Sequence, residues 1–420
     1  MLDKIKQAAA EGTTLLQFGF IKAVGQGLAP LVIAKFLASR ELYARFSLAM
    51  MVVYFFASVL IAFAQTPFIV FANQERAKTG RINKSFSVQC IFLVFSFAAY
   101  VFLIAAFGKA VMIFAQISWT DMVFMSLALV GIAIKTFVDG VLLALGQRIK
   151  NSLAELVFGG LTLLLVFAFY LGGAFSLRMV FLVYLIAGLF VGLIFIWFID
   201  FNLLLPICFD KQHFKEMFKF SKWFMLGATA AYFIARGDNF VLRYFRTMDD
   251  IGEYNLGYQV FMGLGMLIFI IYTYFLPFIS EHIRDSAKMR SYLYSKRPRI
   301  FLMGLAVIGL LFVLAPYIFK LIGRVYEGST TVLRVLLIAA VLMLYTIFYE
   351  PVFNALKKYK FTQTVNVLQV LLNLLLDVLL VPVMGMLGAA VATVIGYSVR
   401  TVIYEIYMRK RVAILFTREQ

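Results

Sequence analysis

Arg236 and Arg243 lie inside an apolar segment of membrane-spanning length, residues 223–245, one heptad apart. Seven residues is close to two helical turns, so on a helix both point the same way. Thr229, Tyr232, Asn239 and Arg246 fall on the same stripe. An isolated cation at bilayer depth is costly and marks a pathway or a site. Arginine suits phosphate because its planar fork meets two oxygens at once. The stripe therefore predicts an anionic cargo held by Arg236 and Arg243 and joined by Lys22, with Arg246 at the outer exit.

Other apolar segments carry polar faces. Thr362, Asn366, Gln369, Asn373 and Asp377 follow a 4-3-4-4 spacing that puts them on one side of a helix. Lys22 and Gln26 are a turn apart, as are Lys135 and Asp139. Tyr54, Ser58 and Gln65 form a looser set. Thr346, Glu350 and Asn354 align beside Tyr345 and Tyr349, with Pro351 as a kink point. Each set reads either as a cavity lining or as polar glue between packed helices. Lys135 and Asp139 also read as a self-neutralised pair. Asp139, Asp238, Glu350 and Asp377 are the carboxylates available to carry a coupling proton or sodium ion, and Asp238, off the arginine stripe, also fits a pairing with another helix.

Magnitude favours water inside. Lys22, Asp139, Arg236, Glu350, Asp377 and Arg400 would each cost roughly 2.5–3.5 kcal/mol at the centre of a spanning helix. Together they come to about 15–20 kcal/mol, comparable to or above the whole net stability of a protein, roughly 5–15 kcal/mol, unless they face an aqueous lumen or one another.

No enzyme constellation stands out. His213 and His282 fall in separate polar connections and make no metal pair. No phosphate-binding Walker motif is present, so the energy for transport must come from an ion gradient, the membrane potential or the cargo gradient. No cofactor is expected.

The elements that must position these residues follow from composition. The chain has 420 residues, of which 63% are hydrophobic and 14% charged, too apolar for a soluble protein. Its net charge of +18 would suggest nucleic acid in a soluble protein; here the basic residues follow topology, and no nucleic-acid partner is expected. Cys90 and Cys208 imply no disulfide framework. The polar start, followed by a full-length apolar run, reads as a first span and not a signal peptide. Apolar runs predict about twelve helices of roughly twenty residues each, near 14–37, 44–72, 86–107, 121–145, 153–171, 179–201, 223–245, 257–280, 300–322, 332–356, 365–384 and 386–408. The alternating segments of a β-barrel are missing from the pattern. Lys and Arg concentrate in alternate connections, such as Arg284, Lys288, Arg290, Lys296, Arg297 and Arg299, while the opposite set holds only Arg40, Lys109, Arg178, Arg246 and Arg324. The positive-inside rule then places both termini in the cytoplasm. The expected organisation is an N-terminal six-helix lobe (1–201), a cytoplasmic linker (202–222) and a C-terminal six-helix lobe (223–420).

An internal repeat supports two lobes. At a constant offset Lys35 meets Arg243, Phe36 meets Tyr244, Ala44 meets Gly252, Phe46 meets Tyr254 and Leu48 meets Leu256. Pro67-Phe68-Ile69 is echoed by Pro277-Phe278-Ile279 at nearly the same offset. Six spans per half give a parallel repeat about an axis along the membrane normal, with a central cavity between the lobes.

Three places carry a family resemblance: the run Leu37-Ala-Ser-Arg-Glu-Leu-Tyr-Ala-Arg-Phe46; its echo Met248-Asp-Asp-Ile-Gly-Glu-Tyr-Asn-Leu-Gly257 after the charged span containing Asp238; and the stretch from Asn373 to Thr393 with Pro382, Gly385 and Gly388-Ala-Ala as a tight outer turn. Together they resemble the polysaccharide and O-antigen flippases (Wzx type) of the multidrug/oligosaccharidyl-lipid/polysaccharide (MOP) exporter superfamily. Ala44 stands where a glycine is usual, and Gly172-Gly173 is a reduced counterpart of the Pro-Gly turn. The resemblance implies a MATE-like all-α membrane fold. It also implies a secondary transporter that flips a polyprenyl (undecaprenyl)-pyrophosphate-linked oligosaccharide to the outer leaflet of the bacterial inner membrane. Tyr232, Tyr258, Asn239, Gln26, Asn366 and Asn373 would then meet the sugars. The implied partners are the lipid-linked glycan, membrane lipids, a proton or sodium ion and the polysaccharide polymerase machinery. Rival readings are a multidrug antiporter or a peptidoglycan lipid-precursor flippase on the same fold. A membrane glycan polymerase or ligase is the rival from another class; it needs a longer outer loop than any here.

Overall fold

The computed structural model describes residues 28–283, 285–356 and 358–417; Lys22 and Gln26 lie outside them. The described chain is built of helices α1 Leu28–Leu37, α2 Arg40–Leu60, α3 Thr66–Thr79, α4 Asn83–Ala115, α5 Trp119–Ala144, α6 Arg148–Leu171, α7 Leu177–Ile196, α8 Phe201–Leu204, α9 Lys211–Phe245, α10 Met248–His282, α11 Ser286–Ser291, α12 Arg297–Ile322, α13 Gly328–Thr346, α14 Glu350–Ala355, α15 Tyr359–Met384 and α16 Met386–Thr417. Ten helical stretches among the described residues are long and apolar enough to cross a membrane. The charged α9 is not among them, and α1 is a shorter apolar helix as far as it is described.

Local chemistry sets the ends. Ser118 and Asp121 form a reciprocal capping box that starts α5. Ser176 and Thr247 cap α7 and α10 by accepting from backbone N–H groups. Gly80 ends α3 at φ +73°. Between α2 and α3 the helix widens into a π turn over Ile61–Gln65, just ahead of Pro67, whose missing N–H removes a helical bond. The expected break at Pro351 is present: α13 ends at Thr346 and α14 restarts at Glu350 with the proline in its first turn.

Two compact units emerge, residues 42–236 and residues 237–420 together with the chain up to Glu41. The division therefore falls inside α9, and not at 202–222. The physical reason is that 202–222 is mostly structured. Its α8 and the first turns of α9 pack into the first unit, where Leu204 and Met217 join Phe68, Val88 and Phe92 in one core, and Phe214 and Phe218 meet the Phe92 ring.

In the 42–236 unit the main packing is α5 on α7. In the other unit α1 is tied to α10 and to the α12–α13 connection. Arg40 pairs with Glu253 at 2.9 Å, and the Tyr326 hydroxyl donates to the carbonyls of Ala34 and Ser39 at 3.2 and 3.1 Å. Gly252, in the echo of the first span's exit, lets the Arg40 backbone approach; a Cβ there would stand 2.3 Å from the Arg40 carbonyl oxygen.

Helix α15 is amphipathic in the inverted sense of a membrane protein. Its outward side shows Val367, Leu368, Leu371, Leu374, Leu375, Val378 and Leu379, while Thr362 and Asp377 are buried. Gly385, at φ +66°, makes the turn into α16. Gly388 then lies so close to α15 that a Cβ would come 2.5 Å from the Leu380 carbonyl oxygen.

Candidate functional site

Helix α9 carries the predicted stripe. Its first turn is fixed by Asp210, whose Oδ1 accepts from the N–H groups of Gln212 and His213 at 2.9 and 3.1 Å while Oδ2 pairs with Lys84 Nζ at 2.8 Å. The Lys84 bond and the two N–H donors hold the Asp210 carboxyl down at about 2. From this anchor α9 runs unbroken to Phe245.

Within the 42–236 unit, Tyr232 donates to the Met51 carbonyl at 2.5 Å and its ring meets Phe55 at 5.5 Å. Arg236, one turn on, is within electrostatic reach of the Tyr232 and Tyr54 hydroxyls. Tyr54 is hydrogen-bonded to Tyr184 on α7. The arginine thus stands within reach of two phenols, one of them bonded to a third, a surrounding that suits hydrogen-bonding cargo.

Lys135 is also within electrostatic reach of Tyr54, but its charge is committed. Its Nζ pairs with Asp139 at 2.7 Å and also with Glu155 on α6, and Asn151 donates to the other Asp139 oxygen at 2.8 Å. The expected pair is a three-membered set with two carboxylates. Glu155 was missed as a partner, although it is the one carboxylate in its span.

In the other unit a carboxylate pair sits deep. Asp238 is 3% and Asp377 0% exposed. The two are within electrostatic reach of each other. The Tyr254 hydroxyl donates to Asp238, and Asn373 donates to Asp377 Oδ2 at 3.2 Å. Asp377 Oδ1 and Asn373 Oδ1 find no hydrogen-bond partner among the described residues, and the same holds for Oδ1 of Asn239 and of Asn366. The unpaired Asp377 oxygen, with the Asn373 amide bonded to the same carboxylate, suits a hard cation or a proton. Among the described residues no cluster of three His, Cys, Asp or Glu side chains is suited to a transition metal.

The remaining predicted residues have definite surroundings. Glu350 pairs with Arg400 on α16, and Asn354 donates to Tyr272 at 2.9 Å. Tyr258 stacks on Tyr254 and meets the tilted Phe261 ring, each 5.7 Å away. Arg246 donates to the carbonyls of Val381 and Pro382 at the end of α15, at 2.7 to 3.1 Å. The Val381 carbonyl also accepts the Gly385 N–H that caps α15, and a cation at this helix end opposes the negative end of the helix dipole. Arg243 is half-buried, while Phe240 and Tyr244 beside it are exposed. Cys90 and Cys208 are free thiols.

Comparison with known proteins places this arrangement. The family model described as "Polysaccharide biosynthesis protein" matches residues 143–300. A Haloferax volcanii protein named as the probable low-salt glycan biosynthesis flippase Agl15 is 24% identical over 209 residues, 49% of this chain and 44% of the relative. The matches span less than half the length of the curated relatives. An inward-facing multidrug resistance MATE transporter of the MOP superfamily superposes with a TM-score of 0.76 at 16% identity, over 95% of this chain and 96% of that one. The lipid II flippase MurJ in an inward closed conformation gives 0.76 at 14% identity, over 94% and 87%. The family model, the Haloferax volcanii relative and both solved structures carry the names of flippases or transporters, or of polysaccharide biosynthesis. The chain is a multi-pass membrane protein with the MOP exporter fold, and within that fold it resembles the polysaccharide flippases.

Proposed function

We propose that the protein flips a polyprenyl-pyrophosphate-linked oligosaccharide, an O-antigen or related surface-glycan unit, from the cytoplasmic to the outer leaflet of a bacterial inner membrane by alternating access. The observation that carries this reading is Arg236 within reach of the Tyr54 and Tyr232 hydroxyls on a membrane-length helix. With Arg243 on the same stripe, it offers guanidinium forks to a pyrophosphate, while phenols and amides such as Asn239 meet sugar hydroxyls. Arg246, bound to α15 carbonyls, holds the outer end of α9 in place, and both termini lie in the cytoplasm.

Coupling is assigned to Asp238 and Asp377. Two buried carboxylates in reach of one another share charge poorly, so a proton or a sodium ion binds there with the help of Asn373. Glu350 and Asp139 are already paired with Arg400 and Lys135 and tune their surroundings.

The test is a deletion strain in which lipid-linked oligosaccharide is located by leaflet. Accumulation on the inner leaflet, reversed by the wild-type gene, supports the flippase. Accumulation of unpolymerised units on the outer leaflet points to a polymerase or ligase instead. The same fold in a MATE transporter keeps a multidrug antiporter as the second reading; a drug-resistance screen separates the two.

A further inference from the structure

The face of α9 that leads to Arg236 has a second property. Phe214, Phe218, Lys222, Met225 and Thr229 recur at 4-4-3-4 spacing and line one wall of a cavity of about 660 Å³ that lies wholly within the 42–236 unit. The same helical register continues to Tyr232 and Arg236. Phe55, which lines the cavity, is the ring that meets Tyr232 at 5.5 Å. Cavity and cation therefore form one continuous track along about 30 Å of α9, from Phe214 to Arg236.

Small residues share the wall with large ones: Ser96 and Ala99 on α4 and Ala133 on α5 line the space together with Phe63 and Phe218. The hydroxyls of Ser96 and Tyr100 on the wall are satisfied within the protein. The Ser96 hydroxyl donates to the Phe92 carbonyl at 2.7 Å, and the Tyr100 hydroxyl donates to Ser126 at 2.6 Å. Such a chamber offers sugars and water little to bind. It opens past Phe95, which lines it and is 61% exposed on the apolar side of α4.

We propose that this chamber holds the isoprenoid chain of the cargo next to its phosphate, a proposal that rests on the flippase reading above. Two features select this occupant over bulk lipid. Lys222 on the chamber wall and Arg236 beyond its end place positive charge along the track, matching an anionic head joined to an apolar chain. Eight of the nineteen lining residues are phenylalanines, and the flat, methyl-branched double bonds of an isoprenoid lie against π faces better than a saturated acyl chain does. The lipid then enters the protein instead of trailing in the bilayer.

The test uses the full-length protein in lipid nanodiscs and a polyprenyl phosphate bearing a photoactivatable group in its first isoprene units. The expected result is crosslinking to α4 between residues 92 and 103 and to α9 between 214 and 229. Unlabelled polyprenyl phosphate should compete at least tenfold better than phosphatidylglycerol. Ala99→Trp and, separately, Ala133→Leu should each weaken binding tenfold or more. Crosslinks confined to other helices, or equal competition by phosphatidylglycerol, overturn the proposal. So does wild-type binding in either filled variant, and crosslinking of the unsubstituted protein decides the matter if both variants fail to fold. Flipping lost in Arg236→Ala but intact in the filled variants overturns the chamber and leaves the flippase reading. Chamber crosslinks with flipping indifferent to Arg236→Ala overturn the cargo site and leave the lipid site.

Discussion

Gly188 on α7 and Gly131 on α5 meet main chain to main chain: a Cβ at 188 would stand 2.0 Å from the Gly131 carbonyl oxygen, and one at 131 would stand 2.3 Å from the Tyr184 carbonyl oxygen. Small residues at such a crossing let helices pack closely where lipid supplies no hydrophobic drive. The same contact holds Tyr184, which is hydrogen-bonded to Tyr54, and Tyr54 in turn is within electrostatic reach of Arg236. Gly188→Val is expected to lower stability by about 1–3 kcal/mol or more, the usual range for overpacking. Gly160→Ala, whose Cβ would meet nothing within 4 Å, should leave it unchanged. Thermal unfolding of the two detergent-solubilised variants checks this.

The Lys135 set predicts an asymmetric mutant series. The three side chains are 12%, 9% and 7% exposed for Lys135, Asp139 and Glu155. Lys135→Met strands two buried carboxylates and should cost about 3–5 kcal/mol. Glu155→Gln leaves the Lys135–Asp139 pair intact and should cost less. Urea titration of folded protein in mild detergent orders the two; equal losses would contradict the pairing.

The Asp238–Asp377 pair predicts a separation of binding from coupling. Asp377→Asn removes the titratable carboxyl and keeps the shape. Cargo binding should remain within about threefold, while the stimulation of flipping by a proton or sodium gradient should fall at least tenfold. Unchanged gradient stimulation in the variant would remove these carboxylates from the coupling step.

The docking of α8 and α9 predicts a pH response confined to acid. The Asp210 carboxyl is held at about 2, chiefly by Lys84 and then by backbone N–H groups. A depressed carboxylate contributes stability above its unfolded value, near 4, and loses it as pH falls toward the folded value. Hydrogen exchange in the first turn of α9 should therefore be flat in protection from pH 8 to 5 and rise below about 4. Asp210→Ala should show the raised exchange already at neutral pH.

The sequence made the membrane fold plain because apolar runs and the Lys and Arg pattern act locally. The inward face of α15 was equally legible, since Asn373 and Asp377 keep helical register. The starts of helices were less so: α9 begins at Lys211 rather than near 223 because its charged first turns form an amphipathic helix outside the apolar run. Partners far apart in the chain were illegible, as with Lys135 and Glu155, Glu350 and Arg400, and Arg246 on the α15 carbonyls. Such pairings depend on which helices pack together, and periodicity within one helix carries no record of that. The phenylalanine chamber was missed for the same reason, although the 4-4-3-4 register of Phe214 to Thr229 was there to be read.

The need for positive charge at position 236 is tested most directly in proteoliposomes loaded with lipid-linked oligosaccharide, with the fraction reaching the opposite leaflet measured over time. Arg236→Ala should reduce the flipping rate at least tenfold at equal protein level, and Arg236→Lys should restore part of it. A wild-type rate in Arg236→Ala would contradict the assignment of the α9 stripe to the pyrophosphate.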